Sequence, residues 1–280
     1  MPGPRSPSED REYRPVGEVR TFALRRTRMT DAQRRALEEL GPAYIVEPPE
    51  PPSVTRIASG ATSAGWPRNA FPNPGLPLIV EFGFGMGEAT AAFASSQKRF
   101  NLLGVEVHRP GVGKLLLDIE KRGLDNLRIV TVDGVTLLRD YLGDESLDGV
   151  HIFFPDPWPK KRHHKRRLIQ PEFLKLLAHR VAPGGYLYVV TDWQDYADQM
   201  REALEVAFCR SAGGPSVDGD GGAPAPAAMP SGPQPVFVNP YPGFAPPRPW
   251  RPTTAFERKA RKKGHDILEL FLLRSGSAIV

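Results

Sequence analysis

The sequence predicts an α/β fold: a mostly parallel, doubly wound sheet with helices on both faces. Two observations predict it. From Leu78 onward, short β-rich apolar runs alternate with helical segments, the order that builds a parallel sheet under a cover of helices. The runs are also near-continuously apolar instead of alternating, as strands buried on both faces require. No apolar run approaches the about 18 residues of a membrane-spanning helix, so a membrane is not an expected partner.

The elements follow in order. Residues 1–15, "MPGPRSPSEDREYRP", are polar and charged and read as a disordered tail. Residues 16–77 form an N-terminal extension of one helix and a loop. Thr30 or Asp31 caps the helix, Ala36, Leu37 and Leu40 give it an apolar face, and Gly41 stops it. Residues 47–77 hold many Pro, Ser and Gly and are expected to be loop. The main domain spans 78–280. Its strands are expected in "LIVEFG", "LLGVEVH", "LRIVTVDG", "LDGVHIFFPDP" and "YLYVVTD". Its helices are expected in "EATAAFASSQ", "PGVGKLLLDIEKRG", "VTLLRDYL", "QPEFLKLLAHRVAPGG" and "WQDYADQMREALEVAF". Residues 211–252 are rich in Gly, Pro, Ala and Ser and read as a flexible insertion with little fixed structure. "TTAFERKARKKGHDILELFLL" then predicts a short helix, a stop at Gly264 and a final strand.

Composition narrows the chemistry. The net charge of +5 favours an anionic partner. The single cysteine, Cys209, excludes an internal disulfide and any cysteine-based zinc site. The N-terminus lacks the apolar core of a signal peptide, so a cytoplasmic location is expected.

In folds of this class, ligands bind at the carboxyl ends of the strands. The first strand runs into "VEFGFGMGEAT", where Gly83, Gly85 and Gly87 allow a tight turn and a close backbone approach. The spacing is not that of a dinucleotide fingerprint, and Glu88 at the following helix start would repel a phosphate. A cationic or neutral ligand fits better. Glu106 ends the second strand, where an acid accepts from ribose hydroxyls. Asp133 ends the third, placed to accept from an adenine amino group. Glu81 can receive an ammonium. A glycine loop, a ribose acid and an adenine acid without a phosphate-binding Lys-Ser/Thr match S-adenosylmethionine. The competing reading is that these acids merely cap turns and helices.

The fourth strand delivers "FFPDPWPKKRHHKRR". Prolines stiffen the loop around Asp156, and Trp158 offers a face for stacking or packing. Carboxylate–Pro–aromatic sequences resemble the (D/N)PP(Y/F/W) motif of methyltransferases that modify planar nitrogens. Every residue from Lys160 to Arg167 is basic or imidazole. Such a run at the mouth of a site attracts a polyanion by counterion release. His163 and His164 lack the carboxylate partners of a metal site, so no metal is expected. Tyr141, Phe153 and Phe154 read as core residues.

Together "VRTFALRRTRMTDAQ", "VEFGFGMGEAT", "LGVEVHRPGVGKLL", "FFPDPWPKKRHHKRR", "LYVVTDW" and "RPTTAFERKARKKGH" resemble the bacterial tRNA (guanine-N7-)-methyltransferases, from about residue 18 onward. The resemblance implies a Rossmann-like, class I methyltransferase fold. It implies S-adenosylmethionine contacts at or near Glu81, Glu106, Asp133 and Asp156, with Asp156 catalytic. It implies substrate-binding positions at Lys160, Asp192 and Thr254 to Glu257. It implies an RNA-contact segment from Arg162 to Arg167, namely Arg162, His163, His164, Lys165, Arg166 and Arg167. The expected partner is tRNA, with a guanosine of the variable loop as the target, and the expected assembly is a monomer or homodimer. On this reading Asp192 and Glu257 accept from guanine N1–H and its amino group. Thr254 and Glu257 also have capping-box spacing. The sequence departs from the family pattern at His164, where asparagine is common, in the length of 211–252, and in its N-terminal tail. The rival readings are a methyltransferase acting on a protein or small-molecule nitrogen, and a non-catalytic RNA-binding relative.

Overall fold

The computed structural model describes residues 28–49, 65–208 and 236–275. The tail 1–15, Cys209 and residues 211–235 of the insertion lie outside the described residues. Seven strands form one sheet: β1 Leu78–Phe82, β2 Asn101–Val105, β3 Leu127–Val130, β4 Leu147–Phe153, β5 Val181–Thr191, β6 Val236–Val238 and β7 Leu268–Ser275. Their order is β3-β2-β1-β4-β5-β7-β6. Strands β1 to β5 run parallel, and β7 lies antiparallel between β5 and β6. The chain winds outward from β1 to β3 and then crosses back to β4, which makes the β1–β4 junction the switch point where such sheets bind ligands.

The apolar runs become two-sided strands because successive side chains point to opposite faces. All of β1 is buried. Leu78, Val80 and Phe82 join a core with Leu137, Leu138, Phe173, Leu174, Leu177, Tyr196 and Met200. These come from the short helix α5 (Gly134–Thr136) with its π-turn continuation, α6 (Pro171–Arg180) and α7 (Gln194–Phe208). Ile79 joins the opposite core with Phe93, Val112, Leu115, Leu116, Ile119 and Ala36. These come from α3 (Glu88–Ser96), α4 (Arg109–Arg122) and α1 (Asp31–Glu39).

Of the two candidate caps for α1, the structure uses Thr30. Its hydroxyl accepts from Gln33 N at 3.2 Å, and Gln33 Oε1 accepts from Thr30 N at 2.8 Å, a reciprocal capping box. Gln33 also donates to Pro110 O at 3.1 Å, so α1 docks on the start of α4. Helix α1 ends at Glu39 with Leu40 as its C-cap, just before Gly41 as expected, and Gly41 then opens a second short helix, α2 (Gly41–Tyr44), with proline in its first turn. Beyond it, Val46 N donates to Ile129 O at 2.8 Å, which ties the extension to β3.

The expectation of little fixed structure across 211–252 fails for its last part. Residues 236–238 form β6, and Ala245 N donates to Glu269 O at 2.7 Å. Phe237 is buried against Phe208, and Trp250 stacks on His151. A few aromatic anchors outweigh the proline-rich composition. Gly264 does end α8 (Ala255–Lys262), in the left-handed region with φ 79°. Among the described residues, no helix is long and apolar enough to cross a membrane.

Candidate active site

The glycine loop leaves β1 with Gly83 and Gly85 at φ 70° and 58°, a region costly for any side chain. A Cβ built on either meets nothing within 4 Å, so the loop faces open space. Behind it, α4 comes close enough that a Cβ on Gly111 would collide with the Gly85 carbonyl. Glu106 holds the loop from the side. Its Oε2 accepts from Gly85 N at 2.8 Å, and its Oε1 from Val107 N and His108 N at 2.8 and 2.9 Å. A carboxylate offers about four lone-pair sites, so Oε1 is filled and Oε2 keeps room for one further donor.

Asp133 does cap a helix, as the competing reading had it. Its Oδ1 accepts from Val135 N and Thr136 N, both at 3.0 Å, and both bonds fall on that one oxygen. Glu81 is different. It is buried, its Oε2 has no hydrogen-bond partner among the described residues, and burial pushes its carboxyl up to about 8 against a smaller opposing pull from the Thr90 hydroxyl. A buried acceptor without a donor is costly, and this one sits on the strand that feeds the glycine loop.

Asp156 lies in the neighbouring loop, beyond β4. Two non-glycine residues in the left-handed region bracket it, Phe154 at φ 53° and Trp158 at φ 42°. Such residues persist only where surrounding contacts hold them, and they cluster at functional sites. Phe154 N donates to Val190 O at 2.7 Å, and Pro157 O accepts from Arg167 Nε at 2.8 Å, so the turn is pinned at both ends. Phe153 stacks on buried His151, and Tyr141 packs on the core. Phe154 departs from its expected core role: it is half-buried, with its ring 4.8 Å from that of exposed Phe256.

The basic run forms a 3₁₀ helix, Lys161–Arg166. Lys160, Lys161, Arg162 and Lys165 are exposed, and His163, His164 and Arg166 are half-buried. Arg166 lies over the Trp158 ring at 4.9 Å, and His163 meets the same ring edge-on. Desolvation and then the surrounding Arg162, Arg166, Lys160 and Lys165 charges lower the His163 pKa, favouring a neutral imidazole. Arg167 does not fit the expected RNA-contact segment. It is buried, pairs with Asp195 and stacks on Tyr196 at 4.8 Å. The chain turns it inward because Tyr196 and Asp195 of α7 both receive its guanidinium group.

Three further expected positions gather at the same edge. Asp192 follows β5 and pairs with His265 Nδ1 at 3.2 Å. Thr254 caps α8, its hydroxyl accepting from Glu257 N at 3.2 Å. Glu257, expected to receive guanine, is instead buried and committed to protein: it bonds Arg251 Nη1 at 2.6 Å and Arg261 at 2.7 and 3.0 Å. Arg251 also reaches Glu269 at 2.6 Å and the Tyr188 hydroxyl at 3.1 Å. Glu88 has a role its sequence position did not reveal. Its Oε2 accepts from Ala255 N at 2.7 Å, latching the start of α8 to the start of α3. Residues from both ends of the domain thus meet where the glycine loop enters α3. Among the described residues, no group of three or more His, Cys, Asp or Glu is arranged to hold a metal ion.

Arg251, Glu269 and Asp195 are site residues that sequence reasoning did not single out, although Arg251 opens the quoted "RPTTAFERKARKKGH". Glu88 was placed at a helix start, but its latch to Ala255 was not anticipated.

The chain is similar to methyltransferases in two comparisons. A family model described as "Putative methyltransferase" matches residues 76–211. A protein of Halorhodospira halophila is 44% identical over 263 residues, covering 93% of this chain and 97% of the relative. One of Paraburkholderia xenovorans is 39% identical over 285 residues, covering 97% and 94%. One of Methylobacillus flagellatus is 41% identical over 256 residues, covering 91% of each chain. All three are named tRNA (guanine-N(7)-)-methyltransferase. With such identity across nearly the whole length, this chain belongs to the tRNA (guanine-N7-)-methyltransferase family.

Proposed function

We propose that the protein methylates N7 of a guanosine in the variable loop of tRNA, using S-adenosylmethionine and no metal, in the cytoplasm. The observation that carries this reading is the placement of Asp156 beside the glycine loop. Strands β1 and β4 pair directly, Phe82 opposite Ile152, so the two loops that follow them leave the sheet side by side at the switch point.

The residues fit the cofactor. Open space before Gly83 and Gly85 admits a close ligand, and the unpartnered Oε2 of Glu81 suits an ammonium donor. Glu106 Oε2 retains capacity for one ribose hydroxyl, and Asp133 has an oxygen outside its cap for the adenine amino group. When bound, S-adenosylmethionine supplies an electrophilic sulfonium methyl. Guanine N7 carries an in-plane lone pair and no proton, so no general base is needed. The protein's task is alignment and electrostatics. Asp156 orients the base and favours the positive charge that develops on its ring. Asp192 is the nearby acceptor for the base edge. Glu257 acts indirectly, by holding Arg251 and α8. Lys160 and the outward residues Arg162 to Arg166 hold phosphates and so fix register rather than base identity.

The direct test is incubation with labelled S-adenosylmethionine and unmodified tRNA, followed by mapping N7-methylguanosine through its chemical lability. Label in the variable loop is the expected result. Label found only on protein or on small amines would overturn the reading.

Glu81 gives a second expected result. Its folded pKa of about 8 stands above its ordinary value of 4.5. Ionising it therefore costs the ligand-free fold stability, increasingly as pH rises from the ordinary value through 8. A bound ammonium reverses that preference, so cofactor binding at pH 7 should release up to about one proton, and affinity should rise toward pH 8. Calorimetry in buffers of different ionisation enthalpy reads this release. Glu81→Gln should abolish it and weaken binding; equal release in that variant would assign the proton elsewhere.

A further inference from the structure

We infer that Arg167 is a positioning residue of the methyl-transfer loop and not a phosphate contact, although it ends the basic run. The inference rests on the tRNA reading above for its kinetic readout alone. Arg167 is 1% exposed, so it cannot reach an RNA backbone. Its three interactions tie the turn after Asp156 to the first turn of α7. Nε donates to Pro157 O at 2.8 Å, Nη2 pairs with Asp195 in the first turn of α7, and the guanidinium carbon lies 4.8 Å from the centroid of the Tyr196 ring. Tyr196 is itself fixed, its hydroxyl accepting from Ile169 N at 3.0 Å.

The contact with Pro157 matters because of what that residue is. Proline has no N–H, so its carbonyl is its one polar backbone group. It directly follows Asp156 and precedes Trp158, whose φ of 42° is strained. Anchoring that carbonyl fixes the Pro157–Trp158 peptide plane, immediately after Asp156, and so restrains the turn from which the carboxylate projects. A planar guanidinium can donate to the carbonyl and the carboxylate while stacking on a ring; an ammonium cannot do all three. Adjacent arginines therefore do opposite work. Arg166 lies outward over Trp158 and meets the substrate, and Arg167 lies beneath the turn and holds it.

The test compares Arg167→Lys, Asp195→Asn and Arg166→Ala. Prolines at 155, 157 and 159 leave four amides in the turn, those of Phe154, Asp156, Trp158 and Lys160, and hydrogen exchange reads them without any reaction. Arg167→Lys should lower kcat by about 10²-fold, the scale of a small misplacement of a reacting group, with tRNA affinity and its salt slope unchanged. It should also speed exchange at those four amides and leave β4 unaffected. Asp195→Asn should move both readouts the same way by less. It alters an exposed side chain, so it carries the test if Arg167→Lys fails to fold. Arg166→Ala should instead weaken tRNA binding and reduce the salt slope by about one. A flattened salt slope with wild-type kcat in Arg167→Lys would make it a phosphate contact, and unchanged exchange in both clamp variants would overturn the inference. Should the wild-type protein transfer no methyl to tRNA, the tRNA reading falls and the exchange measurements still decide the clamp.

Discussion

Asp156→Asn should lower kcat by about 10²- to 10³-fold at saturating tRNA, the usual scale for loss of one preorganised electrostatic contact. Affinity for cofactor and tRNA should change little. The reasoning begins with the nucleophile. Guanine N7 has no proton to lose, so a carboxylate beside it serves no general-base role. During transfer, positive charge leaves the sulfonium and spreads over the guanine ring. A fixed negative charge next to that ring stabilises the charge where it develops, at no cost of reorganisation. The loop is built for such fixity: left-handed residues on both sides of Asp156, prolines at 155 and 157, and backbone anchors at Phe154 and Pro157. Asparagine keeps the size and the acceptor oxygen but removes the charge, whereas alanine removes both. Single-turnover rates of the two variants separate the contributions. Turnover close to wild type in Asp156→Asn, with loss only in Asp156→Ala, would leave Asp156 an orienting role alone.

The largest effect on stability should come from Arg251→Ala. Arg251 and Glu257 are 4% and 1% exposed at the side chain, and Glu269 is equally buried. Removing the cation leaves two carboxylates inside the protein, and breaking a buried pair from one side typically costs about 3–5 kcal/mol. Burial works against the Arg251 charge, but Glu257, Glu269 and Tyr188 outweigh it and raise its pKa. Burial likewise pushes Glu257 upward, yet Arg251 and Arg261 prevail and hold it below its usual 4.5. A depressed carboxylate contributes stability that is present above the unfolded pKa and lost as pH falls through the folded one. The wild-type protein should therefore lose this contribution only below pH 4.5. In Arg251→Ala the stranded carboxylates are penalised most when ionised, so the deficit relative to wild type should be largest at neutral pH and narrow toward pH 4. Urea unfolding at neutral pH and at pH 4 checks both statements. A midpoint equal to wild type would show that α8 is held by its other contacts, such as the Glu88 latch.

Local chemistry was legible in the chain. Strands announced themselves as continuous apolar runs, and the acids that end them, Glu81, Glu106, Asp133 and Asp156, could be placed because a parallel sheet puts all its carboxyl ends on one edge. Thr30 and Thr254 could be read as caps because a cap needs only residues within one helical turn. The sign of the charge after Asp156 was equally plain.

The roles decided by distant partners were not legible. Arg167 and Arg166 are neighbours of the same type, and partners such as Asp195, 28 residues away, and Tyr196 turn one of them inward. Glu257 looked like a substrate acceptor until Arg251 and Arg261 occupied it. Glu88 meets Ala255 across 167 residues, a contact no spacing rule anticipates. Strand β6 sits in a proline-rich stretch that composition reads as loop, and it forms because β7 offers it an edge and Phe208 a ring to pack on. Sequence by itself determined the fold class, the strand-end acids and the basic run. Tertiary structure alone decided which of those charges are buried, because burial depends on what the rest of the chain brings alongside, and a buried charge must spend its hydrogen bonds on protein.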